Sequence, residues 1–227
     1  MKTCKPVLTF AALLLGGCIP VLSLHPLYRQ ADVVFDQALL GTWGDPNDDG
    51  PSWKFSRLEN ADQVLSKDEV KEVSDKVYEL TLSDEKGHKG RFVACLIKLS
   101  GGLFLDVYPA QFPSGQTEVE EMTLMYNAFL FIPAHTFLRI DSIGSQLKMC
   151  MTDDDSLKKL LDEEPNAIGH EDLDGMPILT APTAKLQAFV CRHASDKRLF
   201  GGAEMVLNRV SASAGKDNPA GGAAQKP

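Results

Sequence analysis

Chemistry in this 227-residue chain would have to come from five histidines, a few cysteines and scattered carboxylates. The histidines are His25, His88, His135, His170 and His193. No two stand at the H-x-H or H-x-x-x-H spacing that presents a pair of imidazoles to one metal ion from a strand or a helix. Asp45, Asn47, Asp49 and Gly50 match the opening half of a calcium loop, but Ser56 holds the position where a bidentate glutamate belongs. Without those two oxygens, an acidic turn is the expected structure. His135 shares a strand face with Phe137 and Arg139, and His193 continues the apolar face of a helix. A site joining both to Asp106 would have to close in space, since nothing local selects it. The chain has no G-x-S-x-G elbow, phosphate loop, G-x-G-x-x-G or C-x-x-C. No catalytic residue, cofactor or metal is therefore expected.

The elements that would position these groups are mostly strands. Trp43 opens the first, and Trp53–Leu58 forms a short second. Glu59–Lys76 reads as a charged surface excursion with room for a helical turn. From Val77 to Tyr108 three strands follow, joined by connections containing Gly87, Gly90, Gly101 and Gly102. Tyr78, Leu80 and Leu82 alternate onto one face, whereas Arg91–Leu99 is apolar on both, as in a strand covered on two sides. A loop at 109–127 precedes a hairpin of Ala128–Ile140 and Gln146–Thr152, and Ala203–Val210 is a last strand. Two helices are predicted between them. One follows Asp153-Asp154-Asp155 and buries Leu157, Leu160 and Leu161. The other, signalled by Thr180 and Pro182, aligns Leu186, Phe189, Val190 and His193. The expected fold class is α+β: a curved antiparallel sheet or partial barrel of about seven strands, with two packed helices.

Lys2 and Lys5 precede an apolar run, Val7–Leu15, too short to span a bilayer as a helix. The run reads as an export signal. It ends in Leu15-Gly16-Gly17-Cys18, which resembles the lipobox of bacterial lipoproteins. The resemblance implies diacylglyceryl transfer to the Cys18 thiol, cleavage before it, and a membrane partner engaged through that anchor. Ile19, in place of the aspartate that retains such proteins at the inner membrane, implies the outer membrane. The alternative is a plain secretory signal in which Cys18 is incidental. The expected organisation is a signal peptide at 1–17, a lipidated tether at 18–31, a single domain at 32–210 and a disordered tail at 211–227. Removing residues 1–17 takes the formal charge from -8 to -10. That charge opposes nucleic acid as a partner and favours a body standing off the bilayer.

Gly41-Thr42-Trp43 resembles the G-x-W signature that opens the first strand of lipocalins and other calycins. In that family the tryptophan closes one end of the barrel and a late arginine packs over it, which implies the pair Trp43 and Arg209. The alternative is a tryptophan plugging an unrelated α+β core. By analogy with lipocalin-like lipoproteins, the expected function is non-catalytic binding of a small apolar ligand or lipid. An envelope interaction module and a hydrolase are the other two classes. Once Cys4 is removed and Cys18 acylated, Cys95, Cys150 and Cys191 remain. Cys95 sits on a doubly apolar strand. Cys150 and Cys191 both lie off the main apolar stripes, so a Cys150–Cys191 disulfide is expected, against three reduced thiols.

Overall fold

The computed structural model of the chain describes residues 20–45, 50–59, 61–65, 73–109, 133–201 and 204–210. Residues 1–19, with the expected export signal and Cys18, together with Asn47, Asp49, nearly all of the expected 109–127 loop and the expected tail at 211–227, lie outside the described residues. No helix among the described residues is long and apolar enough to cross a membrane.

Twelve strands are described: β1 (Leu22–Ser23), β2 (Val33–Val34), β3 (Gly41–Gly44), β4 (Ser52–Arg57), β5 (Tyr78–Ser83), β6 (Lys89–Leu99), β7 (Gly102–Pro109), β8 (Thr136–Ile143), β9 (Gln146–Met151), β10 (His170–Leu173), β11 (Met176–Leu179) and β12 (Glu204–Val210). The helices are α1 (Asp154–Glu163) and α2 (Thr183–Arg192), and Ala61–Val64 forms a further single helical turn. Strands β3–β9 and β12 pair antiparallel in sequence order, and β12 returns to β3, closing a barrel of eight strands. The barrel is thus closed, not partial, and has eight strands where about seven were expected. Closure depends on β3. Its four residues, with glycine at each end, are too short to show alternation, yet they pair with β4 on one side and β12 on the other.

Alternation along the strands divides the molecule into two cores. Inward positions include Trp43, Phe55, Tyr78, Leu80, Leu96, Leu105, Leu147 and Met149, all fully or almost fully buried. Outward positions Val93, Cys95, Ile97, Phe104, Phe137 and Cys150 build a second core under α1 and α2. This is why β6 is apolar on both faces. Asp153 caps α1 by accepting from the Ser156 amide at 3.2 Å, with Asp154 and Asp155 in the first turn. Acidic groups there oppose the partial positive charge of the helix N-terminus. The other helix begins later than its sequence signal, at Thr183 after Pro182.

Two parts of the outer layer depart from expectation. Between the helices, β10 and β11 form a hairpin over Asp174 (φ 52°) and Gly175 (φ 82°). The turn needs left-handed backbone at both positions, which aspartate tolerates and glycine adopts freely. The second departure is in the tether. Residues 20–31, expected to be a tether, are built into the fold: β1 adds in parallel to β11, and Val21 and Leu27 are fully buried.

Candidate functional site

The barrel has two unlike ends, and the register assigns each residue to one of them. At the end where β3 starts and β12 finishes, Trp43 and Arg209 are direct cross-strand partners. The Arg209 guanidinium lies 4.3 Å from the Trp43 ring centroid. It donates to the carbonyls of Leu40 (2.7 Å) and Ala38 (2.5 Å), while the indole Nε1 donates to that of Leu39 (2.8 Å). These three carbonyls belong to a short 3-10 turn, Gln37–Leu39, and its exit. The arginine and tryptophan together therefore satisfy the turn's orphan acceptors and clamp it over this barrel end. Gly41 is required here, because its φ is 122° and a Cβ would stand 2.7 Å from Arg209 Nη1. Asp36 caps the same turn through the Ala38 amide, at 2.8 Å. The Tyr78 hydroxyl accepts from the Asp36 amide (2.7 Å) and donates to the Asp36 carbonyl (2.9 Å). Burial, against the opposing effect of the backbone bond, pushes the Tyr78 phenol up to about 12. Phe35 stacks on the Tyr78 ring, with Arg57 over its other surface.

Toward the opposite end four inward side chains of the described residues are only partly buried. Trp53 is second in β4, Leu82 next to last in β5, Phe92 fourth in β6 and Met151 last in β9. All four are partly exposed and pack on the interior cluster. The Phe92 ring lies over Gly90, where a Cβ would come within 2.9 Å of it, so that glycine makes room for the ring to lean toward the mouth. The result is a sealed apolar interior grading into an apolar mouth. Such a surface can take a hydrocarbon or an aromatic face and offers little to orient a polar substrate. Sequence reasoning placed Trp53, Leu82 and Met151 in strands but did not read these four residues as a site. Their signal is positional, inward and near strand ends, and emerges only with the register.

The histidines are separated by the fold. Asp106, fully buried on the outward face of β7, accepts from the Leu27 amide at 2.6 Å, and its other oxygen is 2.7 Å from His135 Nδ1. Tyr108 and Tyr28 flank the imidazole at centroid distances of 4.8 and 6.4 Å. The backbones of His135 and Ser23 exchange two hydrogen bonds of 2.8 Å. His193 is not part of this group: its Nδ1 meets Asp196 at 3.2 Å, and its buried Nε2 has no partner among the described residues. The Asp106–His135 pair has the donor order of a general-base dyad. The hydroxyl of Ser23, whose backbone pairs with that of His135, instead donates to the His25 carbonyl. The pair joins β7, the start of β8 and the N-terminal segment, and its evident role is as a clasp.

The thiols also resolve differently from expectation. None of Cys95, Cys150 and Cys191 is disulfide-bonded, so the expected Cys150–Cys191 bridge is absent. Cys150 Sγ donates to the Phe200 carbonyl at 3.0 Å, and burial pushes its thiol above the ordinary value. The end of α2 seats on the β6–β7 turn: a Cβ at Gly101 would lie 3.2 Å from Cys191 Cα. Cys191 is thereby held over a different part of the wall from β9. The three aspartates 153–155 cluster closely enough to suggest a cation, but Asp153 is used as a cap and Asp154 by Lys158 at 2.9 Å.

Compared with known protein families, curated proteins and solved structures, the chain matches none.

Proposed function

We propose that this is a non-catalytic, lipid-anchored protein of the bacterial envelope whose barrel takes a small apolar ligand or lipid at its open mouth. One observation carries the ligand reading: an interior sealed at the Trp43–Arg209 end grades into partly exposed Trp53, Leu82, Phe92 and Met151 at the other. Fully buried inward residues from Leu80 to Leu147 leave no solvent-accessible space beside them, so the ligand would engage the mouth and not the barrel's depth. The anchor reading is supported by the lipobox resemblance of Leu15–Cys18. Several acyl chains make such an anchor stable, at about 0.8 kcal/mol per buried methylene.

Native mass spectrometry of protein purified from its own host tests the ligand. A co-purified lipid mass is expected, and it should be lost in Leu82→Arg, which places a charge in the mouth. Bare protein, with or without added fatty acid, would refute the reading. Detergent partitioning tests the anchor. Cys18→Ala should remain an unlipidated precursor outside the detergent phase. Recovery of a discrete protein partner by crosslinking through the mouth would favour an interaction module instead.

A further inference from the structure

The docked N-terminal segment bears on how the protein meets a membrane. Val21 is fully buried, and β1 is fixed by register with Ile178 and Leu179, by the Leu24 amide on the Leu179 carbonyl at 2.9 Å, and by the bridge to His135. Just beyond, the Leu27 amide is held by Asp106. Thr183 and Gln187 of α2 donate to the carbonyls of Pro26 and Leu27. Cys18 therefore stands three residues before the buried Val21 in the sequence, a separation of at most about 10 Å.

The direction of β1 is also set. Because β1 and β11 are parallel, stepping back from Leu22 leads past Pro177 and Met176 toward the β10–β11 turn. Met176 pairs with Leu173, which is 55% exposed and the most exposed large hydrophobic side chain among the described residues. Glu171, Asp172 and Asp174 surround it, all exposed. Three acids beside one leucine disfavour an anionic surface and leave a neutral one acceptable.

Resting on the reading that Cys18 is acylated, we propose that the β10–β11 hairpin, residues 171–175, seats against a zwitterionic lipid surface beside the anchor. The body then lies on the bilayer and does not stand off it, contrary to the expectation from charge alone. The anchor supplies the attraction by confinement, and the hairpin sets the orientation.

The test uses the acylated full chain in phosphatidylcholine vesicles, with Cys191→Ser to remove the one half-exposed thiol. An environment-sensitive fluorophore is attached at Leu173→Cys or, as a reference, at Val206→Cys on the uncovered wall of β12. Headgroup spin-labelled lipid should quench position 173 several-fold more than position 206. A flexible Gly/Ser linker inserted after Ile19 should remove that difference while the protein stays vesicle-bound, and added anionic lipid should reduce it. Equal quenching at 173 and 206 in protein with an acyl mass on Cys18 would overturn the seating alone. Absence of any acyl mass on Cys18 would overturn the anchor reading and the seating with it. In-cell crosslinking from position 173 to a discrete protein would assign the hairpin to that partner and overturn the lipid surface.

Discussion

The layer outside the barrel buries more apolar side chains than the barrel interior does, and the two regions specify their structure by different means. Inside, every buried position but Leu39 of the 3-10 turn is placed by the ladder of an eight-strand sheet, and the buried side chains are apolar apart from the Tyr78 hydroxyl and the Trp43 indole N–H, both of which are satisfied by backbone. Outside, the pieces have little ladder to place them, and the buried polar and charged residues Ser23, Asp106, Thr152, Asp154 and His193 all lie there. Hydrophobic burial is non-directional, so it cannot by itself fix where a two-residue strand or a helix end sits. Hydrogen bonds from buried side chains can, because an unmade one costs about 1–3 kcal/mol. The Asp106 carboxylate illustrates this, since one residue holds a backbone amide 79 positions earlier in the chain.

The contrast can be broken first from the inside. Trp43→Ala should lower the unfolding free energy by about 3–5 kcal/mol in urea titration, as for large-to-small changes in a packed core. It also strips the Arg209 guanidinium of its stacking face. A loss below about 1 kcal/mol would show that the seal is not a stability element. Outside, Asp106→Ala leaves the Leu27 amide and the His135 ring without their acceptor, and should cost about 2–3 kcal/mol. Hydrogen exchange sharpens the comparison: the Leu27 amide should lose protection while Leu105 and Leu147 keep theirs. Equal loss at all three would mean that the two regions open as one unit.

The smallest effect is a pH dependence. Tyr78 titrates near 10 when unfolded and is pushed up to about 12 by burial in the fold. A raised value means that the folded state holds the proton more tightly. Its stabilising contribution is complete below pH 10 and is lost as the pH rises toward 12. Tyr78→Phe should cost about 1 kcal/mol at neutral pH for its two hydrogen bonds. Its Tm should then fall less steeply than the wild type's between pH 10 and 12. Parallel declines would show that another group controls the alkaline limb.

What the sequence disclosed follows the same division. The meander from Val77 to Tyr108 was legible because one-sided alternation and turn glycines are local signals, and α1 and the apolar stripe of α2 were legible for the same reason. Glu59–Lys76 was legible as charge with a helical turn, which Ala61–Val64 forms, but not for its buried Leu65 and Val73, which pack on the outer core. β10 was not legible, since His170-Glu171-Asp172-Leu173 has no apolar face to bury. Nor was the docking of residues 20–31, whose partners Asp106, His135 and Gln187 come from distant elements. One signal was available: Asp106 interrupts an otherwise apolar strand on its covered face. The disulfide expectation failed because facing off the apolar stripe fixes a side chain's direction, not which strand a helix end covers.

Methyl NMR gives the most direct test of the mouth as a ligand site. Protein labelled at leucine and methionine methyls is titrated with a fatty acid, and four groups are followed: Leu82 and Met151 at the mouth, Leu105 in the sealed interior, and Leu157 on the buried face of α1 in the outer core. Saturable shifts confined to Leu82 and Met151, with Leu105 and Leu157 static, are the predicted result. No saturable shift at the mouth, or a shift led by Leu157, would contradict it.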